Sequence, residues 1–362
     1  MGAILAVWTA LAAAQARPAP LKDAFVGSDE TASLAFSPDG KLLVTGGTRS
    51  VRVLAVPAAD DGSFEEIRAF APYGRVDELR FDPQGRWLVT RSRDQDARIW
   101  DPSAGTPLKF ALEQGLAATL GPRDWLVLAE RGKGLRFWKT DGLSAKRRYV
   151  LEVETRESLG VALGHVTVAA LADGSLLAGD DQGFLHVLPS SRILAPPAGL
   201  DPRLPPPFPK SAASANVFRP HAGEITTLAP SADGKLCVSA GLDGRVRLWA
   251  LPKIPSGPRP RGSENPSPVW EIAGHAAELS ANGSLLAVAD AGGVGVYHAA
   301  SGAPVSWNPV RGRAVRVRIS PDGRFLAAIV CRCGDCTPGE KIETISSRRR
   351  LADHGGTLVV WR

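Results

Sequence analysis

One turn-and-strand phrase recurs along this chain, and it constrains the fold more than any other feature. SPDGKLLVTGG at Ser37 returns as DPQGRWLVTRS at Asp82, ADGSLLAGDD at Ala172, SADGKLCVSAG at Ser231, SANGSLLAVAD at Ser280 and SPDGRFLAAIV at Ser320. A degenerate copy, GPRDWLVLAE, begins at Gly121, which makes seven. Each copy reads as a tight turn followed by a short apolar strand, with another short strand such as TASLAF or ITTLAP in front. A third strand follows, with Leu54, Trp100, Trp138, Leu188, Trp249, Tyr297 or Trp361 near its end. Less regular strands such as FEEIRAF and PLKFAL complete a unit of four, repeating roughly every 40–60 residues. A four-stranded unit cannot bury both of its faces alone, so neighbouring units must stack. Radial stacking of such sheets gives a propeller.

Composition agrees with many turns and little helix. Gly 38 and Pro 29 together make 67 of the 362 residues, too many breakers for a helical bundle. Lys and Arg number 43 against 37 Asp and Glu, for a formal charge of +6. That excess favours an acidic partner but is too small for a dedicated nucleic-acid binder.

The best copy runs HAGEITTLAPSADGKLCVSAGLDGRVRLWAL from His221 to Leu251, and it resembles the WD-repeat β-propeller family. The resemblance extends over essentially the whole chain after residue 16. It implies an all-β, seven-bladed propeller of four-stranded antiparallel blades, and a buried tetrad of His221, Ser239, Asp243 and Trp249 in the fifth. Such a network pins a blade when every polar group in it is satisfied. Thr90, Asp94 and Trp100 approach the same pattern without the histidine. Elsewhere Thr48, Gly132, Gln182, Ala291 and Gly355 stand at the aspartate position, so this is a divergent member.

The last copy stops on its third strand at Trp361-Arg362. Residues Lys22 to Val26 are the natural donors of its outer strand, which would remove a sheet edge and close the ring. MGAILAVWTALAAAQA, residues 1–16, carries no charged side chain and ends in Ala14-Gln15-Ala16. It reads as a secretory signal peptide, leaving residues 17–362 as the propeller in a secreted or periplasmic protein; the alternative is a cytoplasmic one. No later segment has the length and apolarity of a membrane span.

Three stretches break the period: Pro-rich 195–220 between the fourth and fifth blades, Pro-rich 252–268 within the fifth, and Cys- and Arg-rich 331–356 in the seventh. Cys331, Cys333 and Cys336 form CRCGDC, for which a local disulfide, reduced thiols, or zinc with His354 are the readings. A register pairing Phe325 with Trp361 would turn His354 away from the sulfurs and so counts against zinc. Cys237, mid-strand, reads as a small core residue.

The turns between second and third strands share one face of the disc. There Arg49, Arg91, Arg93, Arg131, Lys133, Arg348, Arg349 and Arg350 form a basic arc over blades seven, one, two and three, while Asp180, Asp181 and Asp290 stand opposite. The innermost strands carry Asp77, Glu78, Glu278, Arg316 and Arg318 but no facing histidines. There is no phosphate-binding glycine loop or nucleophile elbow. The expected function is a non-catalytic protein-interaction scaffold, monomeric and without cofactor, that binds an acidic protein through this arc. The alternative is an enzyme or ligand sensor acting through the central channel.

Overall fold

The computed structural model describes residues 23–26, 31–48, 50–59, 62–71, 74–82, 84–92, 97–103, 106–107, 117–121, 125–130, 134–139, 165–171, 173–190, 216–251, 266–331 and 356–362. The repeated phrase is a hydrogen-bonded turn that sets strand register. Ser37 Oγ donates to Asp39 Oδ1 at 2.6 Å and accepts the Leu42 N–H at 2.9 Å, while Asp39 also accepts the Lys41 N–H at 3.1 Å. Gly40 supplies the left-handed φ of 72° that the turn requires. The same wiring joins Ser231 to Asp233, Ser280 to Asn282 and Ser320 to Asp322. In the second copy Asp82 replaces the serine and takes the Trp87 N–H directly at 2.8 Å.

Each turn joins the first two strands of an antiparallel sheet. The innermost strands are Thr31–Phe36, Val76–Phe81, Ala117–Gly121, His165–Ala170, Ile225–Pro230, Ala276–Leu279 and Arg313–Ile319. They touch in that cyclic order, and the last returns to the first, so the sheets surround a central channel. The expectation of seven four-stranded blades is corrected here. Six blades have four strands, whereas the third sheet has three among the described residues: Ala117–Gly121, Trp125–Glu130 and Gly134–Lys139.

Two further expectations are corrected. The fourth sheet takes its outer strand from Asn216–Phe218, so the Pro-rich stretch 195–220 lies within that blade rather than between blades. In the seventh sheet Leu326, not Phe325, pairs with Trp361. The one-residue shift reverses side-chain parity, so the register argument against His354 facing the sulfurs does not stand. Cys333, Cys336 and His354 lie outside the described residues.

The core is divided into wedges between neighbouring sheets. Leu34, Leu43, Phe325 and Leu358 fill the seam between the seventh and first sheets, and Val44, Val53, Leu79 and Trp100 the next one. Leu177, Phe218, Leu228 and Trp249 join the fourth sheet to the fifth. Leu54, Trp100, Trp249, Tyr297 and Trp361, near the ends of third strands, are therefore inter-sheet packing groups. No helix among the described residues is long and apolar enough to cross a membrane.

The seam between the chain ends is tied three ways. Strand Asp23–Val26 pairs antiparallel with Thr357–Trp361, Phe25 opposite Val360 and Val26 opposite Val359. Thr31 and Gly356 exchange backbone hydrogen bonds of 3.1 and 2.7 Å. Arg316 then reaches across the channel edge, Nε donating to the Ala32 carbonyl at 3.0 Å and Nη2 to the Asp77 carbonyl at 2.8 Å. One side chain of the seventh sheet thus caps carbonyls of the first and second. Deletion through Val26 is expected to lower the melting temperature and cause concentration-dependent association, because Thr357–Trp361 becomes an exposed sheet edge. Calorimetry and size-exclusion chromatography of the truncated chain would check this; a monomer with unchanged melting would mean the pairing contributes nothing.

Candidate functional site

The most completely satisfied polar cluster lies in the fifth blade. Trp249 Nε1 donates to Ser239 Oγ at 2.8 Å, and Ser239 Oγ lies 2.8 Å from His221 Nε2. An indole only donates, so the serine hydrogen is left for Nε2. Nδ1 lies 2.9 Å from Asp243 Oδ1 and also 2.9 Å from Arg247 Nη1. Arg247 Nη1 reaches Asp243 Oδ2 at 2.9 Å, and its Nε reaches Glu271 on the outer strand at 3.0 Å. A chain of polar contacts thus links the third strand's indole to the outer strand of the blade. Burial alone would raise the Asp243 carboxyl, but hydrogen bonds and charge from His221 and Arg247 outweigh it and hold the group well below the carboxylate range. Gly241 makes room for the imidazole, since a Cβ there would meet the His221 ring.

The fourth blade solves the same problem with different residues, which corrects the placing of Asp180 on the loop face. Asp180 and His186 are 0% and 1% exposed, with Oδ2 of the acid 2.9 Å from Nε2 of the ring. Asp180 Oδ1 accepts the N–H groups of Gln182 and Phe184, closing the turn. Strand pairing puts Asp180 where the fifth blade has Gly241. The acid occupies the space that the fifth blade gives to an incoming histidine, and it draws its imidazole from the third strand instead. In the second blade, Trp100 Nε1 donates to Thr90 Oγ1 at 2.8 Å.

The two blades are latched together. His221 N–H donates to the Gly183 carbonyl at 3.3 Å, and Arg219 Nε donates to the Gln182 carbonyl at 3.0 Å while stacking over Phe184. A Cβ on Gly183, at φ 87°, would collide with the His221 carbonyl.

Of the basic arc, only Arg91 lies among the described residues; Arg49, Arg93, Arg131, Lys133 and Arg348 to Arg350 lie outside them. Arg91 is not the solvated rim charge expected. It is 17% exposed, and its Nε donates to Glu78 at 3.3 Å. Glu78 also accepts from Arg80 at 2.9 Å. Burial would raise the Glu78 carboxyl, but the charges of Arg80, Arg91 and Arg316 bring it below its ordinary value. Across the channel, Arg318 Nη1 donates to Glu278 at 3.1 Å, and there burial wins and the carboxyl is raised. Cys237 is fully buried, and desolvation pushes its thiol up to about 12, so it is chemically quiet. Cys331 is buried at the end of its strand. No cluster of His, Cys, Asp and Glu suited to a metal occurs among the described residues.

Comparison with known proteins agrees with this geometry. The WD40 family model (WD domain, G-beta repeat) matches residues 23–53, 65–101 and 213–250, so the chain carries WD40 repeats in three places. The third match contains the complete tetrad. The crystal structure of the β-propeller domain of Cps50 (Swd1) from Myceliophteria thermophila superposes with a TM-score of 0.69 at 15% identity. The superposition covers 94% of this chain and 99% of that one, a likeness of fold alone. No curated protein matches the chain.

Asp243→Ala is expected to cost on the order of 1–3 kcal/mol, because His221 keeps its burial and loses its acceptor. The pH dependence follows from the sign of the shift. A carboxyl held below its ordinary 3.8 adds stability at neutral pH, and that contribution is lost as pH falls through the depressed folded value. The deficit of Asp243→Asn should therefore be largest above about pH 4 and shrink on acidification, as urea unfolding at several pH values would reveal. Gly183→Ala should cost more than about 1 kcal/mol through strain at the latch, and a neutral urea midpoint would contradict the collision described.

Proposed function

We propose that this chain is a non-catalytic protein-interaction scaffold, exported from the cytoplasm, whose partner presents an acidic surface to the loop face. The reading is carried by WD40 repeats set on a closed ring, since WD40 propellers are usually scaffolds rather than catalysts. Support for an acidic partner comes from charge: the excess of +6, and basic residues 49, 93, 131, 133 and 348–350, which fall in the sequence between the second and third strands of their repeats. Arg91 is set apart from these contact residues, because it is only 17% exposed and is turned to Glu78 on the inner strand. Support for export is the uncharged apolar start with its Ala14-Gln15-Ala16 site.

Solvated charges of this kind contribute little individually, about 0–1 kcal/mol each, but jointly steer association and make it sensitive to salt. The test compares Arg93→Glu/Arg131→Glu/Lys133→Glu with a control on the opposite face, Lys41→Glu/Lys235→Glu. The control lysines stand in the turns between first and second strands and are well exposed. In affinity capture from the native compartment, the first variant should lose the partner at physiological salt and the control should keep it. Equal capture by both, or binding indifferent to salt, would overturn the loop-face reading. Mass spectrometry of the mature protein should find Arg17 at the N-terminus; an intact Met1 would overturn export through this leader.

A further inference from the structure

The charged residues of the inner strands remain unused by that function. Glu78 and Arg80 come from the second sheet, Glu278 from the sixth, and Arg316 and Arg318 from the seventh; Arg91 joins them from the strand beside Glu78. They converge at the channel, because Arg316 of the seventh sheet reaches the carbonyl of Asp77, the neighbour of Glu78 on the second. The acids are outnumbered. Four guanidinium groups face two carboxylates, and the nearby Asp77 is matched by Arg75 at 3.1 Å. The inner strands of the third, fourth and fifth sheets carry Ala117, Thr119, Thr167, Ala169, Thr227 and Ala229 at the corresponding positions, so no acid there competes for the arginines.

Arg316 is committed to the carbonyls of Ala32 and Asp77. Arg80 and Arg318 are different. Arg80 offers only Nε to a protein acceptor, and Arg318 only Nη1, bonded to Glu278 and the Val317 carbonyl. Their other N–H groups have no acceptor among the described residues and are not sealed from solvent. Both side chains are about four-fifths buried, with 22% and 18% exposure. Each guanidinium is thus anchored at one edge by a glutamate while the rest of its donors stay available. Fixed planar donors in a partly desolvated, net-positive setting suit an oxyanion. A cation would have to displace an arginine from each glutamate, so the balance runs the other way.

We propose that the central channel binds an anionic group, a carboxylate or a phosphate, with Arg80 and Arg318 as its direct donors and Glu78 and Glu278 as positioning residues. The group could belong to a small free anion or to an acidic side chain entering from a partner. The proposal does not depend on the loop-face reading.

Full-length protein would be titrated calorimetrically with inorganic phosphate, citrate and an acetylated hexaglutamate peptide, all at ionic strength matched with chloride. Saturable binding of at least one probe is expected, weakened about tenfold or more by Arg80→Gln or Arg318→Gln, the loss of roughly one charged hydrogen-bond pair. Arg52→Gln, on the third strand of the first sheet, should leave binding unchanged. Binding of phosphate or citrate would identify a free anion as sufficient, and binding of the peptide alone would identify an acidic chain. No saturable binding by any probe, or affinity unchanged in both variants, would overturn the proposal. A second measurement needs no variant: phenylglyoxal modification of Arg80 and Arg318 in the wild-type protein, mapped by mass spectrometry, should slow in the presence of the bound probe. Undiminished modification would also overturn it.

Discussion

The structure depends on closing the ring. Each sheet has two largely apolar faces, and the wedges of core exist only where one sheet meets the next. An open array would leave two such faces in water and two sheets without a neighbour, which is why arrays of this kind need capping or closure. Here closure falls on a strand of four residues, Asp23–Val26, reinforced by the Thr31–Gly356 exchange and the reach of Arg316. Arg362 adds a further tie, donating to the Gly62 carbonyl at 3.0 Å while stacking over Phe325, so the C-terminal residue of the seventh sheet is fastened to the first. The wedge beneath that tie holds Phe64 and Phe325 edge to face, with centroids 5.2 Å apart.

Polar anchoring is distributed unevenly over the sheets, and this follows from how buried groups are satisfied. A complete Trp–Ser–His–Asp chain must leave none of its members unpaired, since a partly satisfied buried network is worse than an apolar one. The fifth blade meets that condition with His221 entering from a loop, whereas the fourth pairs a buried acid, Asp180, with His186 on a strand. The sixth blade avoids the problem. Val288 stands where Ser239 does in the fifth, and Tyr297 where Trp249 does. Neighbouring anchored blades are also joined at the Gly183–His221 latch, so the fourth and fifth sheets share a polar tie as well as an apolar wedge.

The sheet-forming phrases were legible in the sequence because their chemistry is local. Ser, Asp and Gly at fixed offsets make one turn, whatever the distant contacts, and the missing outer strand after Trp361 pointed to a donor near Asp23. What the sequence concealed is non-local. Asp180 belongs to a run that reads as a polar loop, and only strand pairing shows it buried at the Gly241 position. Asn216–Phe218 is a three-residue strand behind a Pro-rich stretch, too short to carry a period. The fourth strand of the third blade has no counterpart among the described residues. Arg91 looked like a rim charge because Glu78, its partner, lies thirteen residues away across a turn. The tetrad was legible by resemblance, whereas its extension through Arg247 to Glu271 needed the outer strand in place.

The channel shows why those hidden pairings matter. Inner strands have one edge with no neighbouring strand, so their carbonyls need donors or water. Arg316 answers that need for Ala32 and Asp77, and a guanidinium does so better than an ammonium because its fork serves two acceptors at once. If every channel arginine served the backbone in this way, the glutamates would be superfluous and costly to bury. Instead Glu78 and Glu278 hold Arg80, Arg91 and Arg318 by single contacts, which orients the cations without consuming them. Burial raises Glu278 despite Arg318 beside it, in keeping with side chains that are only 25% and 18% exposed. In such an environment unused guanidinium donors interact strongly with any anion that reaches them, so the same desolvation that makes the cluster expensive for the fold also gives it affinity for a ligand.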